Sequence, residues 1–237
     1  MSFTNQEGPA MTRPIVKRFV QILVYLFLMA CALFISAGRL DWVMAWVVLG
    51  IYLAGVVING AIMMRRCPDL IGERAEFRQD AKRWDKPLAF IMGLFGPLST
   101  YIVAGLDTRW GWTRQVAAPL VIAGIVVTVL GFALVSWAVV SNKFFSSLVR
   151  IQQERGHTVM TGGPYRFVRH PGYVGMVAYQ LAMPLMLQTF WAFVPAAVTT
   201  GFAILRTALE DRTLQEELTG YKEYVGRVRY RLIPGIW

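Results

Sequence analysis

Apolar positions in this chain come in long uninterrupted runs, without the alternation of a half-buried strand. A helix needs about 20 apolar residues to cross a hydrocarbon core of about 30 Å. Runs of that length occupy 19–37, 42–64, 87–106 and 116–140, and only the short turn 38–41 separates the first two. A fifth region, 173–205, is broken near Gln188 and Thr189 and carries Pro184 and Pro195. Each half of it would make roughly 22 Å of helix, which leaves open two tilted spans or a hairpin that enters only partway. The pattern predicts an all-α fold, a polytopic integral membrane helical bundle. Its parts are a flexible tail over 1–14, four transmembrane helices within 15–140 with a loop at 65–86, and a region 141–237. That last region holds the helical hairpin 173–205 and a C-terminal amphipathic helix.

Composition agrees. Hydrophobic residues make up 56% of the chain and charged residues only 16%, against roughly 25% in soluble domains. The net charge of +10 would suit nucleic acid, but no compact basic domain exists to carry it. The basic residues instead flank the apolar runs. Three lie in the N-terminal tail, seven in 65–86, five in 141–172 and six from Arg206 onward. Only Arg39, Arg109 and Arg114 fall in the other connections. This bias places both termini and both long loops in the cytoplasm, of a bacterial inner membrane. Cys31 lies in an apolar run and Cys67 in a charged loop, so neither a disulfide framework nor a zinc site is indicated.

Polar chemistry is densest in 163-GPYRFVRHPGYVG-175. Gly162, Gly163 and Pro164 signal a turn, and Pro171 suits the first turn of a following helix. Arg169 and His170 would then stand at a helix N-terminus, where free N–H groups and the dipole favour an anion. The plainer reading is a basic turn anchored to lipid headgroups. The only other histidine, His157, lacks companions for a metal site. No G-x-S-x-G elbow and no G-x-G-x-x-G loop is present.

In the tail, Leu214, Leu218, Tyr221 and Val225 recur as one helix face, with Glu216, Glu217 and Glu223 as its solvated side. Glu210 and Asp211 lie at the mouth of the last apolar segment, where a carboxylate is costly without a partner. The 65–86 segment reads as a solvated juxtamembrane helix with i,i+4 pairs, or alternatively as a lid.

The run 142-NKFFSSLVRIQQERGHTVMTGGPYRFVRHPGYVG-175 contains N-x-x-F, G-H-x-V, G-P-Y-R and R-H-P-x-Y-x-G elements. It resembles the isoprenylcysteine carboxyl methyltransferase family and the related phospholipid N-methyltransferases. The tail 210-EDRTLQEELTGYKEYVGRVRYRLIP-234 is similar to that family's E-E-x-x-L…G-x-x-Y-x-x-Y…R-x-x-P ending. The resemblance covers roughly the last 100 residues.

It implies methyl transfer from S-adenosyl-L-methionine at the cytoplasmic membrane face, to a lipid-like or prenylated small-molecule acceptor. The cofactor pocket it implies draws on His157, Tyr165, His170, Pro171, Tyr173 and Gly175, completed by the acidic pair Glu210 and Asp211. The second acid is Asp where the family more usually has Glu. Arg169, Arg206 and Glu210 are the catalytic candidates. A carboxylate acceptor is already a nucleophile and needs only an arginine to orient it: Arg169, Arg206 or Arg229. An amine or thiol acceptor needs a base, for which His170, Tyr224 and Glu210 are available. A competing reading is an NADPH-dependent membrane reductase of the sterol type, which carries a comparable H-P-x-Y element; a transporter or sensor is the non-enzymatic alternative.

Overall fold

The computed structural model describes residues 12–67, 69–75 and 80–237; the first eleven residues of the expected tail lie outside these. Among the described residues the chain is helical, without strands. Four helical stretches are long and apolar enough to cross a membrane: Ile15–Ala37, Val43–Arg66, Asp85–Trp110 and Ala118–Val140. Their outer faces stay uncovered, with Phe27 67% and Ile35 71% exposed, as expected where the solvent is lipid. The first helix, α1 (Thr12–Ala37), already begins inside the segment expected to be a flexible tail. It is followed by α2 (Val43–Arg66) and the short α3 (Asp69–Ala75).

The third crossing is composite. α4 (Asp85–Phe90) runs through a π-helical turn at Ile91–Phe95 into α5 (Gly96–Trp110). Such turns occur mostly as local bulges at functional sites, and this one contributes Met92, Gly93 and Leu94 to the wall of the cavity described below. The fourth crossing is α6 (Ala118–Val140).

The region 173–205 resolves into α7 (Pro171–Met186) and the first half of α8 (Phe193–Glu217). Between them Gln188 has φ of 62°, and Thr189 donates to Asp107 of α5. Trp191 of this tip meets Trp112 edge-on at 6.2 Å. The hairpin therefore reaches the far end of α5, where Trp110, Trp112 and Trp191 make an aromatic belt of the kind found at membrane interfaces.

Packing of α7 on α6 explains one glycine differently from the sequence reading. A Cβ on Gly175 would sit 2.5 Å from the carbonyl oxygen of Gly131 and 2.9 Å from Val135 Cγ2. The two helices approach backbone to backbone, as small residues permit in membranes. Gly175 does not line the cavity, so its close approach is to α6 and not to a cofactor. Gly175→Val is expected to lower the thermal unfolding temperature in detergent, by an overpacking cost of about 1–3 kcal/mol. Cofactor affinity measured well below that temperature should be unchanged; a selective loss of affinity would return Gly175 to the pocket.

The C-terminal helix is not the single one expected. α8 ends at Glu217, Gly220 adopts φ of 81°, and a separate α9 (Tyr221–Arg227) follows. Gly220 is the N-cap of α9, and as a glycine it adopts this left-handed conformation without a Cβ clash. Leu214, Leu218, Tyr221 and Val225 still meet in one cluster with Tyr165 and Tyr224, but they do so across a bend.

Candidate functional site

The R-H-P stretch sits where α7 begins, with Pro171 at the first helical position and His170 as its N-cap. The C-terminal tail clasps it. The amides of Arg169 and His170 donate to the carbonyls of Tyr230 and Arg231 at 2.9 and 3.0 Å. Arg169 Nη1 donates to the carbonyls of Val228 and Arg229 at 2.8 and 2.7 Å. The backbone order imposed by the glycines and prolines thus holds the two distant motifs together.

Asp211 is the centre of that junction and is fully buried. It accepts from Arg169 Nε at 2.7 Å, Arg169 Nη2 at 3.1 Å and Arg231 Nε at 2.8 Å. Tyr221 donates its hydroxyl at 3.0 Å and Gln215 its amide at 2.8 Å, while His170 Nε2 lies 3.2 Å away. So many donors compensate a buried carboxylate fully. Asp211 does not line the cavity. Its neighbour Glu210 does, and accepts the Tyr173 hydroxyl at 2.6 Å through Oε2. Adjacent positions on a helix point about 100° apart, which separates the two acids: one ties the fold, the other faces open space.

Arg206 is also paired. Its Nε and Nη2 donate to Asp85 at 2.6 and 2.9 Å, and Nη2 further to the Ser147 carbonyl at 3.0 Å. Its guanidinium lies 5.7 Å from the centre of the Tyr173 ring. Asp85 in turn accepts the Val149 amide at 2.7 Å. Arg150 grips Glu73 through two hydrogen bonds of 3.0 Å and reaches Asp80 at 2.7 Å.

These pairs correct the picture of 65–86 as a solvated helix with local ion pairs. Among the described residues between the end of α2 at Arg66 and the start of α4 at Asp85, the helix is α3, and Glu73 and Asp85 are buried against residues far along the chain. The sequence did hold a signal for Asp85: a carboxylate at the mouth of an apolar run, the argument already applied to Glu210 and Asp211. Arg150 and Glu73 offered no such signal.

A cavity of about 900 Å³ opens between these elements. His157, Tyr165, Arg169, His170, Tyr173, Arg206 and Glu210 all line it; Pro171 does not. Tyr221 and Tyr224 close it from α9. The His157 ring lies 4.4 Å from that of Phe144, tilted by 35°, and accepts the Gln152 backbone N–H at 3.3 Å through Nδ1. Burial first, and then the neighbouring Arg150 and Arg155, push its pKa down to about 4, so it is a neutral wall near pH 7. Tyr165 sits 3.3 Å from the Ala138 carbonyl and from Asn142 Nδ2. Arg229, one of the three arginines considered for acceptor binding, is exposed and contributes only its carbonyl to Arg169.

From this polar end the cavity continues into the helical bundle. Ile22 and Tyr25 of α1, Tyr52 of α2, Tyr101 of α5, and Phe132 and Tyr179 of α6 and α7 form its inner wall. Tyr25 lies 5.2 Å from Tyr52, and Phe132 stacks on Tyr179 at 4.6 Å. One continuous space therefore joins a polar rim to an aromatic interior at membrane depth.

Residues 120–217 match the model of the Isoprenylcysteine carboxyl methyltransferase (ICMT) family. The chain is 30% identical over 108 residues to Protein-S-isoprenylcysteine O-methyltransferase B of Arabidopsis thaliana, covering 44% of this chain and 55% of that protein. It is 27% identical over 101 residues to the A form of the same plant, covering 42% and 48%. With Protein-S-isoprenylcysteine O-methyltransferase of Schizosaccharomyces pombe it shares 33% identity over 81 residues, covering 30% and 34%. The matches span about half the length of the plant proteins and a third of the yeast one. They support the family resemblance read in the C-terminal motifs, and the reductase reading gains no support from them. The relatives are eukaryotic, so a bacterial inner membrane finds no support either.

Proposed function

We propose that this membrane protein transfers a methyl group from S-adenosyl-L-methionine to a carboxylate on a lipid-like, prenylated acceptor, with the site at the cytoplasmic face. The observation that carries this reading is the continuous cavity, which opens from Glu210 and Tyr173 at one end into an apolar, aromatic interior between the helices at the other. A polar cofactor and a greasy acceptor need to meet at such a boundary.

The residues present fit the cofactor. Glu210 uses Oε2 for Tyr173 and has no hydrogen-bond donor recorded on Oε1 among the described residues, which suits an ammonium or ribose hydroxyl. Tyr173, Tyr221 and Tyr224 in the wall supply aromatic rings, which suit a cationic sulfonium. When bound, S-adenosyl-L-methionine would supply an electrophilic methyl group, which an in-line nucleophile takes as the carbon–sulfur bond breaks and the sulfonium leaves as a neutral thioether. The protein's part is alignment, with Glu210 and Tyr173 holding one partner and the apolar wall the other.

No base is required for a carboxylate nucleophile. Every nitrogen of Arg169 already donates to the protein, to Asp211 or to carbonyls. Among the described residues Arg206 retains Nη1, so of these two arginines it is the one with a donor left for a ligand. For an amine or thiol acceptor, His170 has its Nε2 taken by Asp211 and Tyr221 and Tyr224 donates its hydroxyl to the Tyr165 carbonyl, which leaves Glu210 as the base.

The test is equilibrium binding of radiolabelled S-adenosyl-L-methionine and NADPH to detergent-purified protein, followed by methylation of N-acetyl-S-farnesyl-L-cysteine. Retention of the first cofactor alone, with base-labile methyl ester formed, is expected. Retention of NADPH but not S-adenosyl-L-methionine would sink the proposal.

A further inference from the structure

Five arginines line the cavity, and they are not equivalent. Arg150, Arg169 and Arg206 are neutralised by Glu73, Asp211 and Asp85. Arg18, near the start of α1, and Arg74, on α3, meet no carboxylate among the described residues. The one hydrogen bond recorded for Arg18 runs 3.4 Å from Nη1 to Gln21 Oε1. Arg74 Nε is closed off from solvent and finds no acceptor among the described residues. Its guanidinium lies 5.5 Å from the centre of the Phe145 ring. The edge of that ring approaches the start of α7: a Cβ on Gly172 would be 3.0 Å from Phe145 Cε2. Arg74 is thus one aromatic ring away from the R-H-P-x-Y turn.

Leaving two cations together at an apolar boundary is costly unless something negative joins them. Burial and then the charge of Arg18 lower the Arg74 pKa to about 10. Even so the group stays charged near neutrality. Glu73, the acid nearest in sequence to Arg74, is already held by Arg150 at 2.9 Å. The shape of the surroundings adds a second constraint. Beside the arginines the cavity wall is apolar and aromatic, with Ile22, Phe90 and Tyr52, which suits a hydrocarbon chain attached to the anion.

We propose that Arg18 and Arg74 form an anion-binding subsite that holds the carboxylate or phosphate headgroup of a single-site amphiphile whose tail occupies the aromatic interior of the cavity. The inference rests on the proposed methyl transfer only for the idea that the acceptor is one such amphiphile. The anion has two possible sources, the acceptor's own carboxylate or an anionic membrane lipid.

The test measures binding, not turnover, on the full chain in neutral detergent. The probes are N-acetyl-S-farnesyl-L-cysteine, its uncharged methyl ester, and dioleoylphosphatidylglycerol. Wild type should bind the acid about tenfold or more tighter than the ester, the scale of a charge-assisted contact. Arg74→Gln and Arg18→Gln should each remove most of that preference without altering affinity for the ester, and Arg74→Lys should keep part of it. Unchanged affinity for S-adenosyl-L-methionine would show that these variants are folded. If phosphatidylglycerol binds with the same arginine dependence and the acid does not, the subsite stands and belongs to a membrane lipid. Acid preference that survives the double Arg18→Gln, Arg74→Gln variant would overturn the proposal, as would equal weakening of acid and ester. Failure of methylation with this binding pattern intact would defeat the methyltransferase reading and leave the subsite in place.

Discussion

Asp211→Ala is expected to be the most damaging single substitution in the chain, and to act through stability before chemistry. Its two oxygens accept from Arg169, Arg231, Tyr221 and Gln215, at distances between 2.7 and 3.1 Å. Removing them strands the guanidinium of Arg169, a buried residue, without its counter-charge. Breaking a buried pair from one side costs about 3–5 kcal/mol, a large fraction of the margin by which most domains stay folded. The clasp between the tail and the start of α7 should loosen with it. Thermal unfolding followed by the fluorescence of the eight tryptophans would register a large downward shift in Tm and a low folded yield. Asp211→Asn keeps the volume and some acceptor capacity, so it should fall between wild type and alanine. If both variants unfold at the wild-type temperature, Asp211 does not hold the junction together.

Glu210→Gln should do the opposite, sparing the fold and removing binding. Glu210 stands in the cavity wall, and its one recorded protein contact is the Tyr173 hydroxyl at 2.6 Å. An amide preserves the shape and can still accept that bond. What disappears is the negative charge that the proposed cationic cofactor would meet. Hydrogen bonds to charged groups contribute about 1.5–3 kcal/mol, so affinity for S-adenosyl-L-methionine should drop roughly ten- to a hundredfold. Tm should move little. Tyr173→Phe, which releases Glu210 without discharging it, should show a milder loss. A Glu210→Gln protein with normal cofactor affinity would move the cofactor site elsewhere. A large Tm loss would make Glu210 a structural acid like its neighbour.

The contrast between these adjacent acids shows where legibility in the sequence stopped. Both were recognisable as carboxylates that need partners at a membrane boundary, and both matched the same motif. Which one faces the cavity depends on the rotation of α8 against α7, and that rotation is a property of packing. Arg169 and Arg206 were likewise visible as candidates for acceptor binding. Their partners Asp211 and Asp85, which lie 42 and 121 residues away, decide how much of each arginine remains for a ligand. Arg18 looked like topological charge flanking a span, and Arg74 like part of a solvated helix. They become a pair because α3 folds back against α1.

The sequence by itself determined the helical crossings, because the bilayer sets a length of apolar residues that any reader of the chain can measure. It also determined the gathering of basic residues in alternate connections and the family motifs of the last hundred residues, since these are local patterns. Tertiary structure decided the rest: the break at Gly220, the close approach of Gly175 to α6, the π-helical turn in the third crossing, and the division of the arginines into neutralised and free. The approach of Gly175 to α6 and the division of the arginines depend on contacts between segments far apart in the chain, up to 121 residues for Arg206 and Asp85, and no local periodicity encodes such partners.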